Sequence, residues 1–181
     1  IDILFNFFKE EKINLLGFSL GGYIASYFVI TYTNRVNRLF TVAATPGNST
    51  EAEIERRKEK FVVIEKEGFT GLTFEKAKSL VEEKNQDDEG LIKIIQDMFI
   101  DLGKETFVSQ LTSTFYRRDL FDDLTNLDIP IWFFYSINDR LLNKEAIKKL
   151  LLDTHNMNVI SRVGTSHNIP LEVPELLSIE I

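Results

Sequence analysis

Six residues constrain this chain more than any others: Gly17-Phe18-Ser19-Leu20-Gly21-Gly22, set between a short apolar run and a segment of small and apolar residues. Residues 13–16 have the length and composition of a buried strand. Residues 20–32, with Gly21, Gly22, Ala25, Phe28 and Val29, suit a helix held tight against a sheet. G-x-S-x-G between strand and helix puts the serine on a sharp, strained turn, where glycines let backbone approach backbone. The serine hydroxyl is then presented at the end of a sheet, and the Leu20 amide and the helix N-terminus face whatever lies beside it.

The rest of the chain supplies the sheet. Ile1, Leu4, Phe5 and Phe8 share a helical face that residues 9–12 close in solvent, ahead of the elbow strand. Residues 38–44 read as a second buried strand stopped by Thr45-Pro46-Gly47, and residues 129–135 as a third, apolar throughout. Residues 143–152 predict a helix capped by Asn143, residues 157–163 a fourth strand and residues 171–179 a closing helix. Between the second and third strands the pattern turns helical and charged, with helices over residues 51–68, 73–84, 88–102 and 104–116. Arg56-Arg57-Lys58 reads there as a solvated, self-paired face, and Asp87-Asp88-Glu89 as a surface turn. Strand and helix alternate on both sides of this insertion, so the fold class is α/β with a mostly parallel sheet.

Composition narrows the chemistry. With no Cys in 181 residues there is no disulfide framework, thiolate metal site or cysteine nucleophile, and a cytoplasmic setting is expected. A net charge of −7 argues against nucleic acid as a partner. No apolar stretch approaches the roughly 20 residues of a membrane-spanning helix, and the Ile1-Asp2 start carries no basic signal-peptide region, so no membrane association is expected.

A serine nucleophile needs a base, and two histidines are present. His155 lies in a polar stretch before the fourth strand and reads as a solvated loop residue. His167 follows that strand, at the carboxyl end of the sheet where α/β sites form. Asp139, just past the third strand, is the expected orienting carboxylate. The chain order Ser19, Asp139, His167 differs from the chymotrypsin and subtilisin orders and is that of α/β-hydrolases.

At these residues the chain resembles the α/β-hydrolase superfamily, and within it small bacterial serine esterases of the pimeloyl-ACP methyl ester esterase and enol-lactonase type. Residues 16–25 are similar to the family's elbow and residues 167–175 to its histidine loop and last helix. The stretch from Arg117-Arg118-Asp119 through Leu124, Leu127 and Ile129-Pro130 is similar to its passage from cap to acid-bearing strand. The resemblance implies a hydrolase core over residues 1–48 and 126–181 with a helical cap over residues 49–125. Ser136 and Ser166 stand where the family usually has glycine before the acid and before the histidine. Family members begin with four strands, the third followed by a loop carrying a further oxyanion amide. This chain opens in the helix before the elbow strand, so those strands are expected to be absent and the elbow strand's edge open to pairing with another chain.

Two functions are therefore expected to compete. One is a serine carboxylic ester hydrolase acting on a small-molecule acyl substrate without cofactor or metal: Ser19 as nucleophile, His167 as base, Asp139 as orienter and the Leu20 amide in the oxyanion hole. Phe18, Phe61, Phe69, Phe74 and Phe99 would then bind substrate. C–C bond hydrolysis, thioester cleavage and acyl transfer would use the same groups. The other is a truncated or split hydrolase half with a structural or binding role. Glu172 is expected to be a structural hydrogen-bond partner near the histidine loop.

Overall fold

A computed structural model describes residues 2–7, 12–152 and 155–181. The chain forms two compact units, one from Ile1–Gly47 and Asp119–Ile181, the other from Asn48–Arg118.

The first unit is built on a parallel sheet in the order β1 (Ile13–Phe18), β2 (Val36–Val42), β3 (Ile131–Ser136) and β4 (Met157–Arg162). Around it run α1 (Asp2–Phe7) and α2 (Leu20–Thr31) and, from the last third of the chain, α6 (Phe121–Thr125), α7 (Lys144–Leu150), α8 (Ile169–Glu172) and α9 (Pro174–Glu180). Residues alternate between the two sheet faces. On one face Leu39, Ile131 and Phe133 pack with Phe28 and Val29 of α2, Leu120, Leu124 of α6 and Leu150 of α7. On the other, Phe40, Val42 and Phe134 pack with Ile169 of α8 and Leu177 of α9. Each such fully buried side chain contributes about 1.5–3 kcal/mol.

The α2 helix sits unusually close to the sheet. Its buried residues Gly22, Ala25, Ser26 and Val29 recur at helical spacing on one face. A Cβ on Gly22 would lie 2.5 Å from the Ala44 Cβ, so only glycine allows this approach.

Several boundaries differ from the sequence pattern for local reasons. The second strand ends at Val42 because Ala43 turns to φ 48. The closing helix is two short helices, since Pro174 offers no amide and holds Val173 at φ −144, ψ 53. In α1, Phe5 stacks on Tyr32 with ring centroids 4.4 Å apart. Ile1, Phe8 and residues 9–11 of that expected helix lie outside the described residues.

The second unit is helical: α3 (Glu51–Glu67), α4 (Phe74–Lys78) and α5 (Glu89–Ser113). Thr50 and Glu53 form a capping box on α3, Thr73 caps α4, and Asp88 caps α5 by accepting from the Leu91 amide at 2.9 Å. The expected helix over residues 73–84 ends at Lys78, followed by a 3₁₀ turn, Glu83–Asn85. The two helices expected on either side of Gly103 are one kinked element, with Gly103 alone non-helical at φ 72, ψ 166. Arg57 is half-buried rather than on an open, self-paired face: it donates to Ser49 Oγ and the Thr114 carbonyl, and burial lowers its pKa. The sequence boundary of this region at residue 125 falls too late. Residues 119–125 belong to the first unit, where Leu120, Phe121 and Leu124 are buried in its core.

Candidate active site

Ser19 lies between β1 and α2 at φ 51, ψ −120, a conformation that costs a non-glycine residue about 1–3 kcal/mol. Local bonds hold it there. The Ser19 amide donates to the Val42 carbonyl at 2.9 Å and its carbonyl accepts from the Gly22 amide at 3.0 Å. Val42 is the last residue of β2, and the next amide, of Ala43, donates to the Phe134 carbonyl at 2.8 Å. The serine turn is thus fastened across three strands. Gly17 matters for the same reason, because a Cβ there would lie 2.5 Å from the Gly21 carbonyl oxygen.

Two loops leaving the carboxyl ends of β3 and β4 carry the other groups. Asp139 is 4% exposed, and its Oδ1 accepts from the Leu141 amide at 2.8 Å. Its Oδ2 lies 2.7 Å from His167 Nδ1, and His167 Nε2 lies 2.8 Å from Ser19 Oγ. An ionised carboxylate only accepts, so the network assigns the imidazole proton to Nδ1, which donates to Asp139 and leaves Nε2 to accept from the Ser19 hydroxyl. Three residues separated by up to 148 positions thus form one hydrogen-bonded chain. A serine so paired can lose its proton to the imidazole as its oxygen attacks an electrophile.

Leu20 is the first residue of α2, so its amide has no carbonyl within the helix to serve. Phe18 packs its ring 5.5 Å from that of His167 and so walls the imidazole, a contact that its place inside the motif did not disclose. His155 is exposed in the turn before β4, at the opposite end of the strand from the His167 loop. Asp153 and Thr154, which belong to the polar stretch around it, lie outside the described residues. Glu172 accepts a hydrogen bond from Ser166 Oγ.

In the helical unit, Phe69 and Phe99 line a cavity of about 270 Å³ with Lys60, Leu72 and Phe107. Phe107 is the residue that the sequence pattern missed: Phe69 stacks on it with ring centres 5.1 Å apart and Phe99 meets it tilted at 5.9 Å, across segments whose contact no local pattern reveals. Lys60 Nζ sits 4.7 Å from the Phe107 ring centre, and burial together with the nearby charge of Lys76 lowers its pKa. Phe61 and Phe74 do not line this cavity, and Phe74 is 40% exposed. No group of metal-ligating side chains gathers among the described residues.

A serine at a strained strand-to-helix turn, with an aspartate and a histidine from later strands of a parallel sheet, is the arrangement of the α/β-hydrolase fold, and that fold is the one this chain has. A family model described as alpha/beta hydrolase fold matches residues 6–80. Among curated proteins, a putative 2-succinyl-6-hydroxy-2,4-cyclohexadiene-1-carboxylate synthase of Bacillus subtilis (strain 168) is 39% identical over 54 residues, 30% of this chain and 20% of that protein. Among solved structures, a thermophilic esterase from Thermogutta terrifontis aligns with TM-score 0.80 and 22% identity over 94% of this chain and 63% of its own. The enol-lactonase from Burkholderia xenovorans LB400 aligns with TM-score 0.80 and 16% identity over 99% of this chain and 68% of its own. At such identities the structures establish the fold. The chain spans a fifth of that curated relative and just under two thirds of that esterase. No helix among the described residues is long and apolar enough to cross a membrane.

Proposed function

We propose that the chain is a serine hydrolase that cleaves a carboxylic ester or related acyl compound through an acyl-enzyme. The observation that carries this reading is the continuous Asp139–His167–Ser19 relay, with contacts of 2.7 and 2.8 Å. Ser19 Oγ attacks the acyl carbonyl as its proton passes to His167 Nε2, and Asp139 stabilises the imidazolium through Nδ1–H. The Leu20 amide donates to the oxyanion. Collapse of the tetrahedral intermediate expels the alcohol, which takes the proton from Nε2. Water then gives a proton to the same nitrogen, attacks the acyl-serine and releases the acid, restoring Ser19. Thioesters, activated C–C bonds and acyl acceptors other than water would use the same groups.

The competing reading, a non-catalytic binding role, draws on the half-exposed Leu16 of edge strand β1, 47% exposed. One experiment separates them. A fluorophosphonate should label the parent protein at Ser19 and leave Ser19→Ala unlabelled. Ala substitutions at Ser19, Asp139 or His167 should each lower kcat for p-nitrophenyl acetate by roughly 10³-fold or more, with double substitutions adding little. His155→Ala should leave the rate unchanged. An unlabelled parent, or equal losses at both histidines, would exclude the proposal.

A further inference from the structure

We propose that two buried serines, Ser166 and Ser136, are positioning residues for His167 and Asp139, each anchored by one charged side chain: Ser166 by Glu172 and Ser136 by Arg162. The inference rests on the hydrolase reading above. It starts from burial. Ser166 is 0% exposed and Ser136 1% exposed, and a hydroxyl taken out of water is costly unless it has a partner. Both have a charged one. Ser166 Oγ–H donates to the carboxylate of Glu172, and Arg162 Nη1 donates to Ser136 Oγ at 3.0 Å.

The placement of these bonds gives them their purpose. Ser166 directly precedes His167, and Glu172 ends α8, whose Leu171 and Glu172 amides donate to the Asn168 carbonyl at 2.9 and 3.0 Å. Glu172 therefore reaches back over the loop that carries the imidazole. Ser136 ends β3 opposite Arg162 of β4, and its carbonyl accepts from the Asp139 amide at 3.0 Å. Beside it the Ile137 amide donates to the Arg162 carbonyl and the Asn138 amide to the Gly164 carbonyl, both at 3.0 Å. The acid loop is thus stapled to the end of β4, from which the histidine loop departs. Neither serine touches a reacting atom. Their hydroxyls fix two irregular loops whose relative placement decides the relay, where a displacement of about 1 Å costs on the order of 10² in rate.

The test uses the whole chain with Ser166→Ala, Glu172→Ala, Glu172→Gln, Ser136→Ala and the Ser166→Ala/Glu172→Ala double variant. The readouts are kcat and KM for p-nitrophenyl acetate, thermal melting, and the downfield proton NMR signal of the His167 Nδ1–H. Ser166→Ala, Glu172→Ala and Ser136→Ala should each lower kcat about 10- to 100-fold with KM within about twofold, and should broaden or abolish the Nδ1–H signal in a folded protein. The double variant should be no slower than the worse single one, because both remove one bond. Glu172→Gln keeps an acceptor oxygen and should recover to within about threefold of the parent. Folded variants with unchanged kcat and an unchanged Nδ1–H signal, or additive losses in the double variant, would overturn the proposal. If the parent is not labelled at Ser19, the hydrolase reading fails, while the Nδ1–H signal still reports whether these serines hold the histidine.

Discussion

The three glycines around Ser19 are not equivalent. A Cβ on Gly17 would stand 2.5 Å from the Gly21 carbonyl oxygen, and one on Gly22 would stand 2.5 Å from the Ala44 Cβ, whereas one on Gly21 meets nothing within 4 Å. Gly17→Ala and Gly22→Ala should each cost about 2 kcal/mol or more, because the obstacles are backbone and a packed methyl. Gly21→Ala, in the first turn of α2, should be neutral or stabilising by up to about 1 kcal/mol. Urea denaturation measures all three, and Ala44→Gly should rescue part of the Gly22→Ala loss and none of the Gly17→Ala loss. The motif made Ser19 legible in the sequence because its chemistry is local: glycine spacing, a strand before and a helix after. Asp139 and His167 were legible because strands announce their own ends and site residues follow them. The left-handed Ala43 was not, since Thr41-Val42-Ala43-Ala44 carries no glycine or turn residue. Its φ is set by the bonds that the neighbouring backbone makes, through Val42 to Ser19 and through Ala43 to Phe134.

Between elements, side chains far apart in sequence do the joining, and here the sequence says less. Residues 119–125 carry the charge and spacing of the helices before them, yet α6 belongs to the sheet unit, tied there by Asp119. Asp119 Oδ1 accepts from the Phe121 amide at 2.9 Å, and Oδ2 from Lys149 Nζ of α7 at 2.7 Å. Burial alone would raise the Asp119 pKa. The Lys149 and Phe121 hydrogen bonds and the Lys149 charge outweigh it, so the folded value lies below the ordinary one. This contribution is therefore complete above about pH 4 and is lost as pH falls through the folded value. Lys149 is raised by the same pair, so its share is lost only as pH climbs through its raised value, above about 10.4. Solvent screening keeps the contribution of the pair small. The stability gap between parent and Asp119→Asn, followed by urea denaturation, should be flat from about pH 5 to 9 and close below about pH 4.

The helical unit invites a prediction of its own. Phe69 and Phe99 both meet Phe107 at the wall of the unit's cavity. Phe69→Ala and Phe99→Ala should each lower stability in urea denaturation by about 2 kcal/mol or more, and the double variant should lose less than the sum because both rings lean on Phe107. Losses that add in full would show that the three rings do not pack as one cluster.

For the molecule as a whole, the open question is the sheet's first edge. Leu16 shares a face with Phe40 and Trp132 through the pairing of β1 with β2 and of β2 with β3. At the carboxyl end of the sheet this face is covered by Ile169 and Leu177. Toward β1 it is left open, in a groove of about 180 Å³ bordered by Leu16, Phe40, Trp132 and Ile181. Leu16 is 47% exposed and Ile181 62% exposed. Among the described residues β1 pairs with β2 alone, and an apolar groove along such an edge combines two features that favour association with another chain, backbone groups facing outward and apolar area to bury. We expect the 181-residue polypeptide to self-associate with rising concentration in light scattering. Leu16→Lys should suppress this by placing a charge on the groove, as natural edge strands do. Because Leu16 lies on the sheet face opposite Gly17 and α2, the substitution should leave the Asp139–His167–Ser19 relay and phosphonate labelling intact. A parent that stays monomeric at high concentration, or association that survives Leu16→Lys, would show that this groove is not the contact surface.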